Sequence, residues 1–436
     1  MNRHDASPNN KDNEFLRKSK TFCILPWVHL YMNPDAKVYP CCVGTADIKN
    51  PVGDLTKNTV DEVRNGPEIK EIRRAMLAGE EVKACQNCYT FENLKGWSSR
   101  IDYTTSREMC RGIDVNKLSS DGDLSGAPLK FIDIRFSNLC NLECRTCGGV
   151  YSSKIAKYET FQPDELADYT TRKLINADNI ISISNSRPGI VNELSEHIDT
   201  LCRWYSAGGE PFLHKENQEL LTNLIERKKF NVQLSFNSNM TTFKYKSFDY
   251  IDAFSKFDDV EMLCSIDFFG TGLEYIRQNC EAATVFKNLE LLMEHPNIRI
   301  TVVCVVSIYN IYYICDFIDY MYEKGYIDKI FALHLSYVFG DYHSPSMLPQ
   351  WAKDELTAKL AVDVTRESVK YTAKKLERVQ NALDNMPGWI NAKPPDPAQF
   401  EIIMNRIEKN DARKEKDLKA VFPWLAEVIA KVKNGN

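Results

Sequence analysis

The chain has 436 residues, 43% hydrophobic and 11% aromatic, and a formal net charge of −5. That length suits two or three domains with full cores, the apolar content excludes compositional disorder, and the charge leaves no global footprint for nucleic acid. No apolar run reaches the ~18 residues of a membrane span and no signal peptide is visible, so a cytoplasmic protein without a membrane partner is expected.

Fourteen cysteines without an export signal point to a reducing compartment, where clustered cysteines read as metal ligands rather than disulfides. Residues 1–20 are polar and mixed in charge, and read as a disordered lead-in. Residues 21–100 form a cysteine-rich unit. Cys23, the Cys41-Cys42 pair and the pair in Cys85-Gln86-Asn87-Cys88 supply four or five thiols. Spacing alone allows a structural zinc ribbon or an iron–sulfur cluster. A linker over 101–128 follows, polar at Asn116–Gly126.

From 129 to 345 strands and helices alternate, the pattern of a parallel sheet with crossover helices. The predicted strands are Phe131–Phe136, Leu201–Tyr205, Val232–Phe236, Val260–Ile266, Ile298–Val306 and Ile330–Val338. Helices are expected at Asn217–Arg227, Phe248–Phe257, Ala282–Glu294 and Ile311–Lys324, with an accessory strand at Asp178–Ser184. Six such repeats make an α/β fold of the partial (β/α)6, TIM-like barrel type, whose active site should lie at the carboxyl ends of the strands. Residues 346–436 are charged and helical, over Trp351–Asn385 and again after a Pro-rich break at Lys393–Pro397. The basic run Arg413–Lys419 reads as a solvated helix end. Cys202, Cys264, Cys304 and Cys315 sit in apolar context and read as inert core thiols. Cys110 and Cys280 carry no clear message.

Two motifs fall at strand ends. After the first barrel strand comes Phe136-Ser137-Asn138-Leu139-Cys140-Asn141-Leu142-Glu143-Cys144-Arg145-Thr146-Cys147. A tetrahedral zinc site wants four ligands, and this loop offers three. A cubane cluster held by three thiolates keeps one iron open to an exogenous ligand, which suits chemistry. About sixty residues on stands Tyr205-Ser206-Ala207-Gly208-Gly209-Glu210-Pro211. Paired glycines admit close approach to backbone, and Glu210 offers an acceptor for an ammonium group.

The C-x3-C-x2-C loop followed by Gly-Gly-Glu resembles the radical S-adenosylmethionine (SAM) superfamily. The segments around Cys23, Cys41 and Cys85–Cys88 look like its SPASM/twitch auxiliary-cluster module, placed before the barrel. The resemblance runs from Phe22 to about Leu425. It implies a [4Fe-4S] cluster on Cys140, Cys144 and Cys147 whose open iron chelates SAM, and an auxiliary iron–sulfur cluster on Cys23, Cys41, Cys85 and Cys88, with Cys42 spare. Gly208, Gly209 and Glu210 would hold the SAM amine.

Asn237 and Asn239, at the end of the third strand, match polar groups near SAM. Ser265 matches a contact to the methionine or ribose end, Arg277 a cation for the carboxylate, and Ser307 with Asn310 ribose contacts. Asp267 is a candidate general acid/base or a capping carboxylate. Three positions depart from the family pattern. Ala36 stands where a glycine usually precedes the cysteine pair, Phe268 replaces the glycine after Asp267, and Thr146 replaces an apolar residue.

The implied activity is reductive cleavage of SAM to a 5′-deoxyadenosyl radical that abstracts hydrogen from substrate. A peptide or protein substrate is one implied class; a small-molecule dehydrogenase or cyclase is the first rival. An external one-electron reductant such as flavodoxin or ferredoxin would be the partner. A non-catalytic zinc or iron–sulfur binding protein is the rival from another class. His29, His214, His334 and His343 read as packed or solvated, with His334 and Tyr337 able to line a substrate cavity.

Overall fold

The computed structural model describes residues 18–44, 51–158, 180–338, 343–367 and 377–435. Residues 1–17 of the expected lead-in, and residues 178–179 of the expected accessory strand, lie outside these. The remainder of that segment makes a single antiparallel bridge, Ser137 to Ser182, and a 3-10 turn at Ile183–Asn185. Packing divides the chain into two units, one of residues 1–139, 149–236 and 245–259, the other of 140–148, 237–244 and 260–436. Among the described residues no helix is long and apolar enough to cross a membrane.

All six expected barrel strands are present, three beginning in each unit. In the first unit Phe131–Ile134, Arg203–Ser206 and Gln233–Ser238 pair in parallel. The sheet does not start with them. His29–Met32, inside the cysteine-rich segment, pairs in parallel with Phe131–Ile134 in the register His29↔Phe131 to Met32↔Ile134. It then turns back through Lys37–Tyr39 and Gly53–Asp54. His29–Met32 is buried at every position, as a strand covered on both faces must be. The cysteine-rich segment therefore adds three strands to the sheet.

The expected linker is also built into the core. Helices span Ser99–Thr105 and Arg107–Cys110, the Thr104 hydroxyl accepts from Ile24 N at 3.2 Å, and Met109 packs with Phe22, Trp27 and Met76. Fully buried Arg73 donates to the carbonyls of Pro26, Arg64 and Gly122. It satisfies backbone oxygens that would otherwise be stranded from water.

In the second unit Val260–Ser265, Ile298–Val306 and Ala332–Tyr337 are parallel, with Ala282–Met293 and Ile314–Glu323 as crossover helices. Their apolar faces, for example Val285, Leu289 and Leu292, are buried. The C-terminal helices are Gln350–Glu367, Glu377–Ile390, Pro397–Lys414, Leu418–Val421 and Pro423–Lys433. Trp424 stacks on Tyr312 with centroids 4.6 Å apart, and Trp389 on Tyr337 at 4.3 Å. Cys264, Cys304 and Cys315 are buried as expected, whereas Cys202 is half-buried.

The hairpin Asn33–Lys37 explains one departure in the sequence. Ala36 has φ 63°, the left-handed region glycine adopts freely, and its amide donates to Asn33 O at 2.9 Å. A Cβ in that region costs about 1 kcal/mol, offset in part by the buried methyl. Ala36→Gly is expected to raise stability by about 0.5–1 kcal/mol, read as a higher denaturation midpoint at unchanged m-value.

Candidate active site

The cysteine loop owes its shape to a short antiparallel ladder, Glu143–Cys144 against Arg277–Gln278 with Cys144 opposite Arg277. The Arg145 amide donates to Ile276 O at 2.8 Å and the Cys147 amide to Cys144 O at 3.1 Å. Cys140 is buried; Cys144 and Cys147 are half-buried. Donors converge on the sulfurs. Cys140 Sγ faces the Leu142 amide at 3.4 Å and Asn239 Nδ2 at 3.8 Å, and Cys144 Sγ faces Arg277 Nη1 at 3.9 Å. Burial raises the Cys144 pKa, and the Arg277 guanidinium pulls against it. N–H donors and a cation beside sulfur suit thiolate ligands of an iron–sulfur cluster.

Asn239, expected near a bound ligand, is brought to this loop. Its amide donates to Asn141 Oδ1 at 2.9 Å, and its carbonyl oxygen accepts from the Thr241 hydroxyl at 2.6 Å. Asn237 is half-buried on the strand Gln233–Ser238, which ends just before Asn239. Arg277 is brought there too, but already charge-paired. Its Nη2 donates to Asp267 Oδ1 at 3.0 Å, and its Nε lies 2.8 Å from Asp267 Oδ2. Burial works against the arginine charge, but the Asp267 carboxylate and the Cys144 sulfur together outweigh it and hold the pKa above the usual arginine value.

Asp267 is fully buried, and Oδ1 also accepts from the Val305 amide at 2.8 Å. Asn310 ties the end of the next strand to it, donating to Asp267 O at 2.9 Å while its own oxygen accepts from Ser307 N at 2.8 Å. Ser265, at the end of its strand, is half-buried, and Ser307 is fully buried. Phe268 fills an aromatic cluster, stacked on Phe269 with centroids 4.5 Å apart and beside Phe422 at 5.6 Å. A Cβ at Gly272 would lie 2.3 Å from the Phe268 ring, so the glycine missing at position 268 reappears four residues later as room for the phenylalanine.

In the first unit Gly208 and Gly209 have φ 80° and 56°. A Cβ on Gly208 would sit 2.6 Å from Arg135 Cβ, and one on Gly209 would sit 2.3 Å from Leu139 O. Leu139 immediately precedes Cys140. Its carbonyl accepts from the Glu210 amide at 2.8 Å and from His214 Nε2 at 3.1 Å. Glu210 is fully buried. Burial lowers the His214 pKa, so its ring is a neutral Nε2–H donor, a packing role as expected.

The four thiols expected to share an auxiliary group are near enough to influence one another's charge. Cys23 feels the charges of Cys85 and Cys88, Cys41 those of Cys23 and Cys88, and Cys85 those of Cys41 and Cys88. Burial, reinforced by these neighbours, pushes Cys23 and Cys85 up to about 12. A cationic cluster reverses that logic by binding the thiolates. The Gly44 amide donates to Cys41 Sγ at 3.3 Å, and a Cβ there would press within 2.9 Å of Ala84 O. Cys42 instead interacts with Asp133 and Arg135. The donor set thus fits an iron–sulfur cluster. Among the described residues no three His, Cys, Asp or Glu side chains are drawn together closely enough to hold a single metal ion.

Among the described residues the other histidines join no metal-holding group. His29 and His343 are buried and pushed down to about 4 and about 3, burial being the main cause. His334 is exposed, and the Tyr337 hydroxyl donates to Ala382 O at 2.6 Å, turning it onto the C-terminal helices rather than a cavity. Two residues of the cysteine loop escaped the sequence reading. Arg145 pairs with Asp411, and Glu143 accepts from Lys414 Nζ at 2.8 Å. With Arg145 and Asp411 separated by 266 residues, no local pattern pointed to either contact. Arg413 and Lys414, expected to be solvated, are ion-pair partners of Glu143.

Residues 23–89 match SPASM, an iron-sulfur cluster-binding domain. No curated protein matches the chain. Among solved structures the chain is similar to native anSMEcpe with bound AdoMet, at 18% identity over 56% of this chain and 62% of that one, TM-score 0.35. It is also similar to SuiB of Streptococcus suis bound to precursor peptide SuiA, at 13% identity over 69% and 64%, TM-score 0.36. A third is TYW1 with a lysine-pyruvate adduct, at 15% identity over 53% and 70%, TM-score 0.29. The chain spans less than two thirds of the length of the first two.

Proposed function

We propose that this chain is a radical SAM enzyme with an N-terminal auxiliary cluster. The observation that carries the reading is the Cys140–Cys147 loop, where Cys140 meets an N–H donor from Asn239 and Cys144 one from Arg277, in a chain whose residues 23–89 match an iron–sulfur cluster-binding domain. With a [4Fe-4S] cluster and SAM bound, the chemistry supplied is one-electron cleavage of the sulfonium to a 5′-deoxyadenosyl radical that takes hydrogen from substrate.

The chain's own residues do the holding. Cys140, Cys144 and Cys147 are the cluster ligands, and Cys23, Cys41, Cys85 and Cys88 those of the auxiliary site. Gly208, Gly209 and Glu210 receive the SAM amine, and Arg277 its carboxylate. Asn237, Asn239, Ser265 and Ser307 complete the polar surround. Asp267 acts as the counter-ion that aims Arg277, since both its oxygens are engaged. A peptide or protein is the proposed substrate class, on the resemblance of the auxiliary module to those of peptide-modifying enzymes. A flavodoxin- or ferredoxin-type donor supplies the electron. None of the fourteen cysteines is joined in a disulfide, which supports a reducing, cytoplasmic setting.

The test is anaerobic. Wild type and the Cys140/Cys144/Cys147→Ala variant are reconstituted with iron and sulfide, given SAM and dithionite, and assayed for 5′-deoxyadenosine. Product from wild type alone is expected. Product from neither, with zinc in the purified protein, would make this a metal-stapled binding protein.

A further inference from the structure

The C-terminal helix Pro397–Lys414 reaches the cysteine loop on both sides of Cys144. Arg145, whose side chain is fully buried, pairs with Asp411 and donates from Nε to Tyr275 O at 2.8 Å. Its guanidinium lies 3.7 Å from the centroid of the Tyr275 ring. The Tyr275 hydroxyl closes the circuit, donating to Asp411 at 2.9 Å, and the Leu418 amide donates to the other Asp411 oxygen at 3.2 Å. Glu143, 5% exposed, is held by Lys414 at 2.8 Å, Arg413 at 3.0 Å and Asn279 at 3.0 Å. Three charged residues at one helix end, Asp411, Arg413 and Lys414, thus engage the residues flanking one thiol. Surface ion pairs do little, but Arg145 and Glu143 are withdrawn from water, where an unmatched charge is strongly unfavourable.

We infer that this helix end is a latch on the three-cysteine loop, with Asp411, Arg413 and Lys414 as positioning residues that fix how firmly the loop retains its cluster. The inference rests on the cluster assignment proposed above for Cys140, Cys144 and Cys147. Groups that orient metal ligands from behind commonly change retention by about 10–100-fold when removed. The loop supplies its ligands from within eight residues, and the latch supplies the rigidity that so short a loop lacks.

The test compares wild type with Asp411→Asn and with Lys414→Met, whose side chain sits at the rim, and uses Lys433→Met, which removes an exposed pair to Glu408, as control. Reconstitution in a Cys23/Cys41/Cys85/Cys88→Ala background leaves only the three-cysteine site loaded. Iron release to a chelator is expected to be about 10-fold faster or more in Asp411→Asn, about several-fold faster in Lys414→Met and unchanged in the control, with an altered EPR spectrum of the reduced cluster.

Hydrogen exchange of the 140–148 segment in the metal-free, full-length chain provides a readout that needs no cluster. The Arg145 amide, bonded to Ile276 O, is expected to lose protection in Asp411→Asn. Wild-type release rates, EPR and exchange in both variants would overturn the latch. If wild type itself takes no iron at this site while exchange still responds to Asp411→Asn, the cluster assignment fails and the mechanical coupling of helix to loop stands.

Discussion

Gly209→Ala is expected to abolish SAM binding and turnover in a protein that remains folded. The position combines two constraints. Its φ of 56° disfavours any side chain, and the added Cβ meets Leu139 O at 2.3 Å and the carbonyl carbons of Asn138 and Leu139 at 2.9 Å. Those are backbone atoms, so no rotamer change relieves the clash. The left-handed penalty and forced repacking together destabilise by about 2–4 kcal/mol, tolerable in a chain with so large a core. What moves is the junction itself. Glu210 N bonds to Leu139 O, and Leu139 leads into Cys140.

A displacement of about 1 Å in positioned groups can reduce activity about 100-fold. Equilibrium SAM binding to the reconstituted variant is the measurement, with Gly189→Ala, where no atom lies within 4 Å of the new Cβ, as the neutral control. Wild-type affinity in Gly209→Ala would remove Gly208–Glu210 from the site.

Asp267 provides the second large effect. If it anchors Arg277, Asp267→Ala leaves a buried guanidinium without its counter-ion and is expected to destabilise by about 3–5 kcal/mol. A general base would behave otherwise, with activity lost and stability retained. The pair is separable by a double-mutant cycle with Arg277→Met, in which the two losses overlap if the residues act through each other. Denaturant midpoints of the four proteins decide it. Additive losses would return Asp267 to the candidates for proton transfer.

Much of the architecture was legible because strands covered on both faces read as apolar runs. Ile298–Val306 came out with its boundaries intact, and the others shifted by one or two residues at an end. Cys23, Cys41, Cys85 and Cys88 could be grouped as a candidate ligand set because the segments around them are distinctive, and residues 23–89 match a cluster-binding domain. What stayed hidden was long-range. His29–Met32 looked like part of a small cysteine-rich unit, since four buried residues do not announce which strand they pair with. The polar stretch after residue 100 looked like a linker because its helices are short and its buried contacts, Thr104 to Ile24 and Gly122 to Arg73, use polar atoms. Asp267 was readable as a catalytic type but not as an engaged one. The partner that engages it, Arg277, lies only ten residues away in sequence, yet nothing in the spacing requires the two to meet.

The parallel pairing of His29–Met32 with Phe131–Ile134 bears on how this chain can be dissected. A barrel begun at residue 129 would present Phe131–Ile134, buried at all four positions, as a bare edge with its amides and carbonyls open to any passing strand. Such an edge invites aggregation. The cluster-binding segment is thus a cap on the sheet as well as a carrier of thiols, and the two parts of the chain are a folding unit that cannot be cut at the apparent boundary.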